Sequence, residues 1–185
     1  MAVVATGFFD GVHLGHRQVI QTLVSTARKE GLEAVVVTFD RHPREVLGQD
    51  SGSLRLLTTT ESRIVMLKSL GVDRVEVLPF TLEFAALPAA RYIREVLVGR
   101  FGATVLVMGY DNKLGSDGCG PEEIGRIAAA EGIRTIVVPP FEAEAAGGAV
   151  SSTKIRNLLA ANNVADANAL LGYDYFPQVD APNGE

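Results

Sequence analysis

Two histidines three residues apart, His13 and His16, stand in the segment "GFFDGVHLGH" (Gly7 to His16) of a chain that holds only 3 histidines. The apolar run "AVVAT" precedes this segment and an amphipathic stretch follows it, so it reads as a strand-to-helix junction. Gly7 ends the strand, Gly11 permits a tight turn, and Gly15 allows close backbone approach where the helix starts. With a helix beginning between Val12 and Leu14, both imidazoles lie on one side of its first turn. Backbone N–H groups and the helix dipole favour an anion there. Two imidazole donors beside it suit phosphate oxygens and the charge that builds in a transition state. The plainer alternative is a polar surface turn, which a lone histidine would favour; the paired spacing among placed glycines favours phosphate. Zinc fits less well, because no cysteine pair or third histidine lies at ligand spacing nearby. Asp10, before Gly11, reads as a turn residue ahead of a metal ligand.

A second segment, "SSTKIRNLLAANN", opens another helix with Ser151, Ser152 and Thr153, all good capping residues. Ile155, Leu158 and Leu159 supply its apolar face. Ser152 and Arg156, four apart, share the opposite side. Hydroxyls, free N–H groups and a guanidinium make a second phosphate site, with an ordinary capped helix and a solvated Arg156 as the alternative. Neither G-x-G-x-x-G nor G-x-x-x-x-G-K-[ST] occurs, which sets aside the common dinucleotide and Walker phosphate loops.

The elements that must carry these loops alternate. Apolar runs of strand length begin at Ala2, Glu33, Arg74, Thr104 and Arg134. Helical patterns lie between them. In the first, Val19, Ile20, Leu23, Val24 and Ala27 form one face. "TTESRIVMLKSLG" opens on a capping signal and stops at Gly71; Pro88 and Pro121 stand at first-turn positions of two more helices. Strands apolar on both faces and alternating with helices predict an α/β fold, a doubly wound parallel sheet of about five strands. Ligands in such folds sit at the carboxyl ends of the strands. The loops "GFFDGVHLGH", "DRHPREVLGQDSG", "GYDNKLGSDGCG" and "AGGAVSSTKIR" are therefore the informative ones. After Leu171 the periodicity is lost, which predicts an extended or frayed terminus.

At 185 residues the chain suits one domain with a sizeable core. A net charge of −5, with both signs interspersed, argues against duplex nucleic acid as the main partner. The lone Cys119 excludes an intramolecular disulfide and suits a reducing compartment. The apolar N-terminus lacks a leading positive charge and reads as a strand, and no apolar run approaches the roughly 18 residues of a membrane span. The chain is expected to be cytoplasmic and off the membrane; its oligomeric state is left open.

Taken together, "GFFDGVHLGH", "TFDRHP", "FAALPAARYI", "VMGYDNKLG", "VSSTKIR" and "ALLGYDYF" resemble, in that order, the adenylyltransferase module of prokaryotic FAD synthetases, within the HxGH nucleotidyltransferase superfamily. The resemblance runs from Gly7 to about Phe176. It implies a Rossmann-like nucleotidyltransferase fold and transfer of AMP from MgATP to FMN, giving FAD and pyrophosphate. It implies that His13 and His16 steady the ATP phosphates in the transition state. Gly7, Phe8, Phe9 and Gly15 would line the ATP site, and Ser152, Thr153 and Arg156 would hold the leaving phosphates. Phe39, His42 and Pro43 match the segment near the flavin, and Asp111 and Asn112 the polar part of the Gly109–Gly115 loop. Mg²⁺ would be bound mainly through the ATP phosphates, with no protein metal site.

Two departures bear on the acceptor. Arg41 stands where the family pattern has proline, and the aromatic pair of the Gly109–Gly115 loop is replaced by Asn112 and Leu114. Leu114 could restore some contact, and Tyr110 could stack on a base or simply sit at the rim. The alternatives are another phosphate acceptor (a pyridine mononucleotide, phosphopantetheine or a phosphorylated polyol) or a flavin- or nucleotide-binding protein without turnover. The expected organisation is a nucleotidyltransferase domain over 1–172 and a tail over 173–185, with no riboflavin kinase domain.

Overall fold

The computed structural model describes residues 1–49 and 54–176. Five strands, β1 (Ala2–Thr6), β2 (Glu33–Phe39), β3 (Arg74–Leu78), β4 (Ala103–Gly109) and β5 (Arg134–Val138), form one parallel sheet in the order β3-β2-β1-β4-β5. β1 is buried along its whole length, as a central strand covered on both faces must be. Its alternate residues part to two cores. Ala2 and Val4 join Val35, Val37 and Leu106 on one face; Val3 and Ala5 join Val36, Val105 and Val107 on the other.

Helix α1 (Leu14–Glu30) covers the second face with Val19, Ile20, Leu23 and Ala27, and ends at Gly31 in a left-handed conformation. Helices α2 (Pro43–Val46) and α3 (Thr60–Ser69) follow β2, and α4 (Leu82–Ala85) and α5 (Ala89–Arg91) follow β3. α5 runs on as a π-helical stretch, Tyr92–Val98, which buries Tyr92, Ile93 and Leu97 in the first core. Helix α6 (Pro121–Ala130) adds Ile124 and Ala128 to that core.

Chain order reverses at β1. From β1 the chain steps outward through β2 and β3, then returns to place β4 on the other side. The crevice beyond the carboxyl ends of β1 and β4 is the switch point where such sheets bind ligands. A third, smaller core closes over it. A two-stranded hairpin, β6 (Glu142–Ala143) and β7 (Gly148–Ala149), leads into α7 (Ser152–Ala160) and α8 (Val164–Leu171); Leu57, Val150, Ile155, Leu170 and Leu171 pack between them.

The hairpin and α8 were not anticipated. The hairpin strands are only two residues each, too short for any period to register. The described part of the stretch after Leu171, residues 172–176, which was expected to be extended or frayed, is tied down by Tyr173 and Tyr175. The Tyr173 hydroxyl donates to the Gly11 carbonyl at 2.7 Å, and Tyr173 and Tyr175 pack on the third core. A tertiary anchor of this kind needs no periodicity. Residues 177–185 of the expected tail, and 50–52 of the loop after β2, lie outside the described residues.

Candidate active site

The turn between β1 and α1 is strained. Phe9 has φ 56°, Gly11 φ 78° and Val12 φ 37°. A β-branched residue at positive φ is costly and persists only where its surroundings enforce it. Here they do. The Asp10 carboxylate accepts from the backbone N–H groups of Leu57, at 2.9 Å, and Thr58, at 3.1 Å. Gly11 N–H donates to Thr58 Oγ1 at 3.0 Å while its carbonyl takes the Tyr173 hydroxyl. Arg17 Nε donates to the Val12 carbonyl, and Ser152 Oγ to the Asp10 carbonyl at 2.9 Å. Gly11 is required on a second count, since a Cβ there would meet Leu57 Cδ1 at 2.7 Å.

This turn delivers His13 to the N-cap of α1. Its Nδ1 accepts from His16 N–H at 3.3 Å, so the neutral ring carries its proton on Nε2. The two imidazoles stack with centroids 3.6 Å apart and planes at 15°. Burial pushes the His13 pKa down to about 4, and burial together with the neighbouring His13 holds His16 well below its ordinary value. Both rings are therefore neutral donors until an anion arrives and favours the charged form. Gly15 leaves room for this arrangement: a Cβ would lie 3.3 Å from the His13 ring. The close approach it permits is that of His13.

The N-terminus of α7 meets the same turn. Arg156 Nη1 contacts Asp10 Oδ2 at 2.6 Å, with both side chains largely buried. The reading of Arg156 as merely solvated does not hold. Burial raises the Asp10 pKa, opposed by the Leu57 N–H and by Arg156. Ser151 caps α7 by accepting from Lys154 N–H.

A cleft of about 320 Å³ opens above these groups, within the range of small-molecule sites. Its walls include Gly7, Phe8, Phe9, Asp10, His13, Gly15 and His16 from the first motif, and Ser152, Thr153 and Arg156 from α7. His42, Arg44, Tyr110, Asp111, Asn112 and Phe141 line it as well. All 3 histidines of the chain thus line one cleft. Phe8 meets His42 edge-on, with centroids 4.7 Å apart.

Residues 1–154 match the sequence profile of the FAD synthetase family. The chain belongs to that family. A bifunctional riboflavin kinase/FMN adenylyltransferase of Listeria monocytogenes is 37% identical over 184 residues, covering 99% of this chain and 57% of its own length. The protein of the same name from Bacillus subtilis is 35% identical over 180 residues, 95% of this chain and 54% of its own. The chain therefore spans little more than half the length of these curated relatives. Among solved structures, a Streptococcus pneumoniae protein described as a macrolide-efflux protein superposes with a TM-score of 0.80 at 31% identity, over 93% of this chain and 55% of its own. No helix among the described residues is long and apolar enough to cross a membrane.

Two residues expected near a flavin in this FAD synthetase family member, Phe39 and Pro43, are not among the residues lining the cleft. Phe39 points into the first core, stacked edge-on against Phe80 at 5.1 Å, and Pro43 begins α2 outside the cleft lining. Phe39 is the last residue of β2, and the pleat sends it to the sheet face away from α1. Leu114, offered as a substitute for a lost ring, pairs with Cys119 and packs against the same core. Asp10 was underestimated, because the partners that make it a hub are distant in sequence. Arg44 and Phe141 were missed as well; their positions just beyond the carboxyl ends of β2 and β5 were the available signal.

Proposed function

We propose that this chain is an adenylyltransferase that moves AMP from MgATP to FMN and releases FAD and pyrophosphate. One observation carries the reading: the stacked His13–His16 pair and the N-terminus of α7 converge on a single strained turn, joined at Asp10. A triphosphate suits that junction. The N–H groups of Ser152 and Thr153, with the Arg156 guanidinium, would hold the β- and γ-phosphates. The imidazoles would face the α-phosphate, with His13 donating from Nε2. As charge grows in the transition state, the phosphates favour the imidazolium forms.

The acceptor's phosphate would enter along Phe8, His42 and Arg44, the wall to which α7 contributes nothing. One of its oxygens attacks the α-phosphorus in line. The new P–O bond forms as the bond to the bridging oxygen of pyrophosphate breaks, so no protein nucleophile is required. Mg²⁺ suits this cleft as a companion of the substrate. Among the described residues no three potential ligands converge, and the Asp10 carboxylate is engaged by Leu57, Thr58 and Arg156. The phosphates and water would hold the ion, with the Asp111 carboxylate also on the cleft wall. When bound it neutralises phosphate charge.

Purified chain with MgATP and FMN, followed for FAD and pyrophosphate, tests the proposal. A second reading, a different phosphate acceptor, is favoured by the packing of Leu114 against the first core and away from the cleft lining, which leaves Tyr110 as the one ring that the Gly109–Gly115 loop brings to the cleft. Pyridine mononucleotide, phosphopantetheine and a phosphorylated polyol belong in the same assay. Pyrophosphate released only with one of these moves the assignment to that acceptor. No release with any of them leaves a binding protein.

A further inference from the structure

Arg63, on α3, is fully shielded from solvent. Its Nη2 donates to the Phe39 carbonyl at 2.6 Å and approaches Thr60 Oγ1 at 3.3 Å. Its Nε and Nη1 find no hydrogen-bond partner among the described residues. None of the ion pairs among those residues includes it; it feels the charges of the Asp10 and Glu61 carboxylates without pairing with either, and Asp10 is bound to Arg156. Burial lowers its pKa, yet a guanidinium stays charged. Arg63 is therefore a desolvated cation that no carboxylate among the described residues pairs with directly. Such a group is destabilising relative to an apolar residue of the same size. A structural task accounts for little of it, since one N–H donor would serve the Phe39 carbonyl.

Its surroundings point toward the cleft. The guanidinium carbon stands 4.2 Å from the centroid of the Phe8 ring. That ring lines the cleft and meets His42 at its edge. Arg63 is not among the cleft-lining residues and thus sits behind the Phe8 ring. The other buried cation of the site, Arg156, is neutralised by Asp10.

We propose that Arg63 is a buried electrostatic anchor for the phosphate group of the acceptor, acting through the Phe8 ring. It does not touch substrate and is a positioning residue. Buried away from bulk solvent, its field reaches through the wall with less screening than that of an exposed cation, so a phosphate monoester is favoured there over its uncharged counterpart. The inference rests on the adenylyl-transfer reading, which brings the acceptor phosphate against Phe8 and His42.

The test compares FMN with riboflavin, which lacks the phosphate, by flavin fluorescence on the full chain loaded with a non-hydrolysable ATP analogue and Mg²⁺. Two neutral variants, R63M and R63Q, are expected to weaken FMN about tenfold and leave riboflavin within about twofold. R63Q keeps a donor for the Phe39 carbonyl. R63K, which keeps the charge, is expected to stay within about threefold of the unsubstituted chain for FMN. Equal loss for both flavins, or unchanged FMN affinity in the neutral variants, overturns the proposal. So does loss of folding in both neutral variants, read by circular dichroism, which would make Arg63 structural. If the unsubstituted chain binds neither flavin, it is the flavin reading that fails. Inorganic phosphate, titrated by calorimetry onto the same loaded chain, then decides about Arg63. About tenfold weaker binding in R63M and R63Q sustains the anchor; unchanged binding, or none to the unsubstituted chain, rejects it.

Discussion

His16 and Arg156 reach the same turn from opposite sides, and their expected contributions differ. His16 presents a neutral ring stacked on His13, a preorganised donor whose loss leaves the surrounding backbone bonds in place. The variant H16A is expected to lower kcat by about 10²–10³, the usual cost of removing one charge-stabilising donor. Near-normal turnover with every acceptor, measured by pyrophosphate release, would show that the histidine is not catalytic. Arg156 is assigned to the leaving phosphates, so R156A is expected to weaken ATP and pyrophosphate while sparing AMP. Calorimetric titrations separate the cases, and an equal loss for ATP and AMP would move Arg156 away from the β- and γ-phosphates. R156A also strips the buried Asp10 of its ion-pair partner, so a drop in thermal stability should accompany it.

The strained turn at Asp10–Val12 is held from several elements at once. α1 supplies Arg17, the segment before α3 supplies Leu57 and Thr58, α7 supplies Ser152 and Arg156, and the stretch after α8 supplies Tyr173. Tyr173 is the most economical point at which to test this. Burial pushes its pKa up to about 12, so the hydroxyl keeps its proton at working pH and donates to Gly11. Y173F removes that one bond and leaves the ring beneath Arg17. It is expected to lower stability by about 1 kcal/mol. kcat should fall more than KM rises, because the turn positions the histidines. A variant with reduced Tm and an unchanged kcat would confine Tyr173 to packing.

At the scale of the whole molecule the buried histidines make stability depend on pH. In the folded chain His13 titrates at about 4 against 6.5 for a free imidazole, and His16 is lowered in the same direction. Between those values the unfolded chain binds more protons than the folded one, so stability is intact above about pH 6.5 and is lost as pH falls toward 4. Asp10, with its raised pKa, works in the opposite sense over the acidic end of that range. Thermal unfolding from pH 8 to 4 should show Tm falling below about 6.5, with a flatter profile when both histidines are replaced by asparagine. Parallel profiles for the two proteins would place the acid sensitivity elsewhere.

What the sequence determined by itself was whatever is written over short distances along the chain. Apolar runs and helical faces recur every few residues, so the five parallel strands and the helices covering them were readable. The histidine pair and the Ser-Ser-Thr cap sit within single helix turns, and local geometry was enough to put each at a helix N-terminus. Tertiary structure alone decided which distant residues share a charge or a wall. Asp10 meets Leu57 47 positions away and Arg156 146 positions away, separations that no local pattern encodes. It decided, too, that Phe39 turns into the core while His42, three residues on, lines the cleft, because the pleat of β2 ends between them. And it left Arg63, an unexceptional polar position in a helical pattern, buried behind Phe8 without an ion pair among the described residues, since burial is a property of the assembled layers.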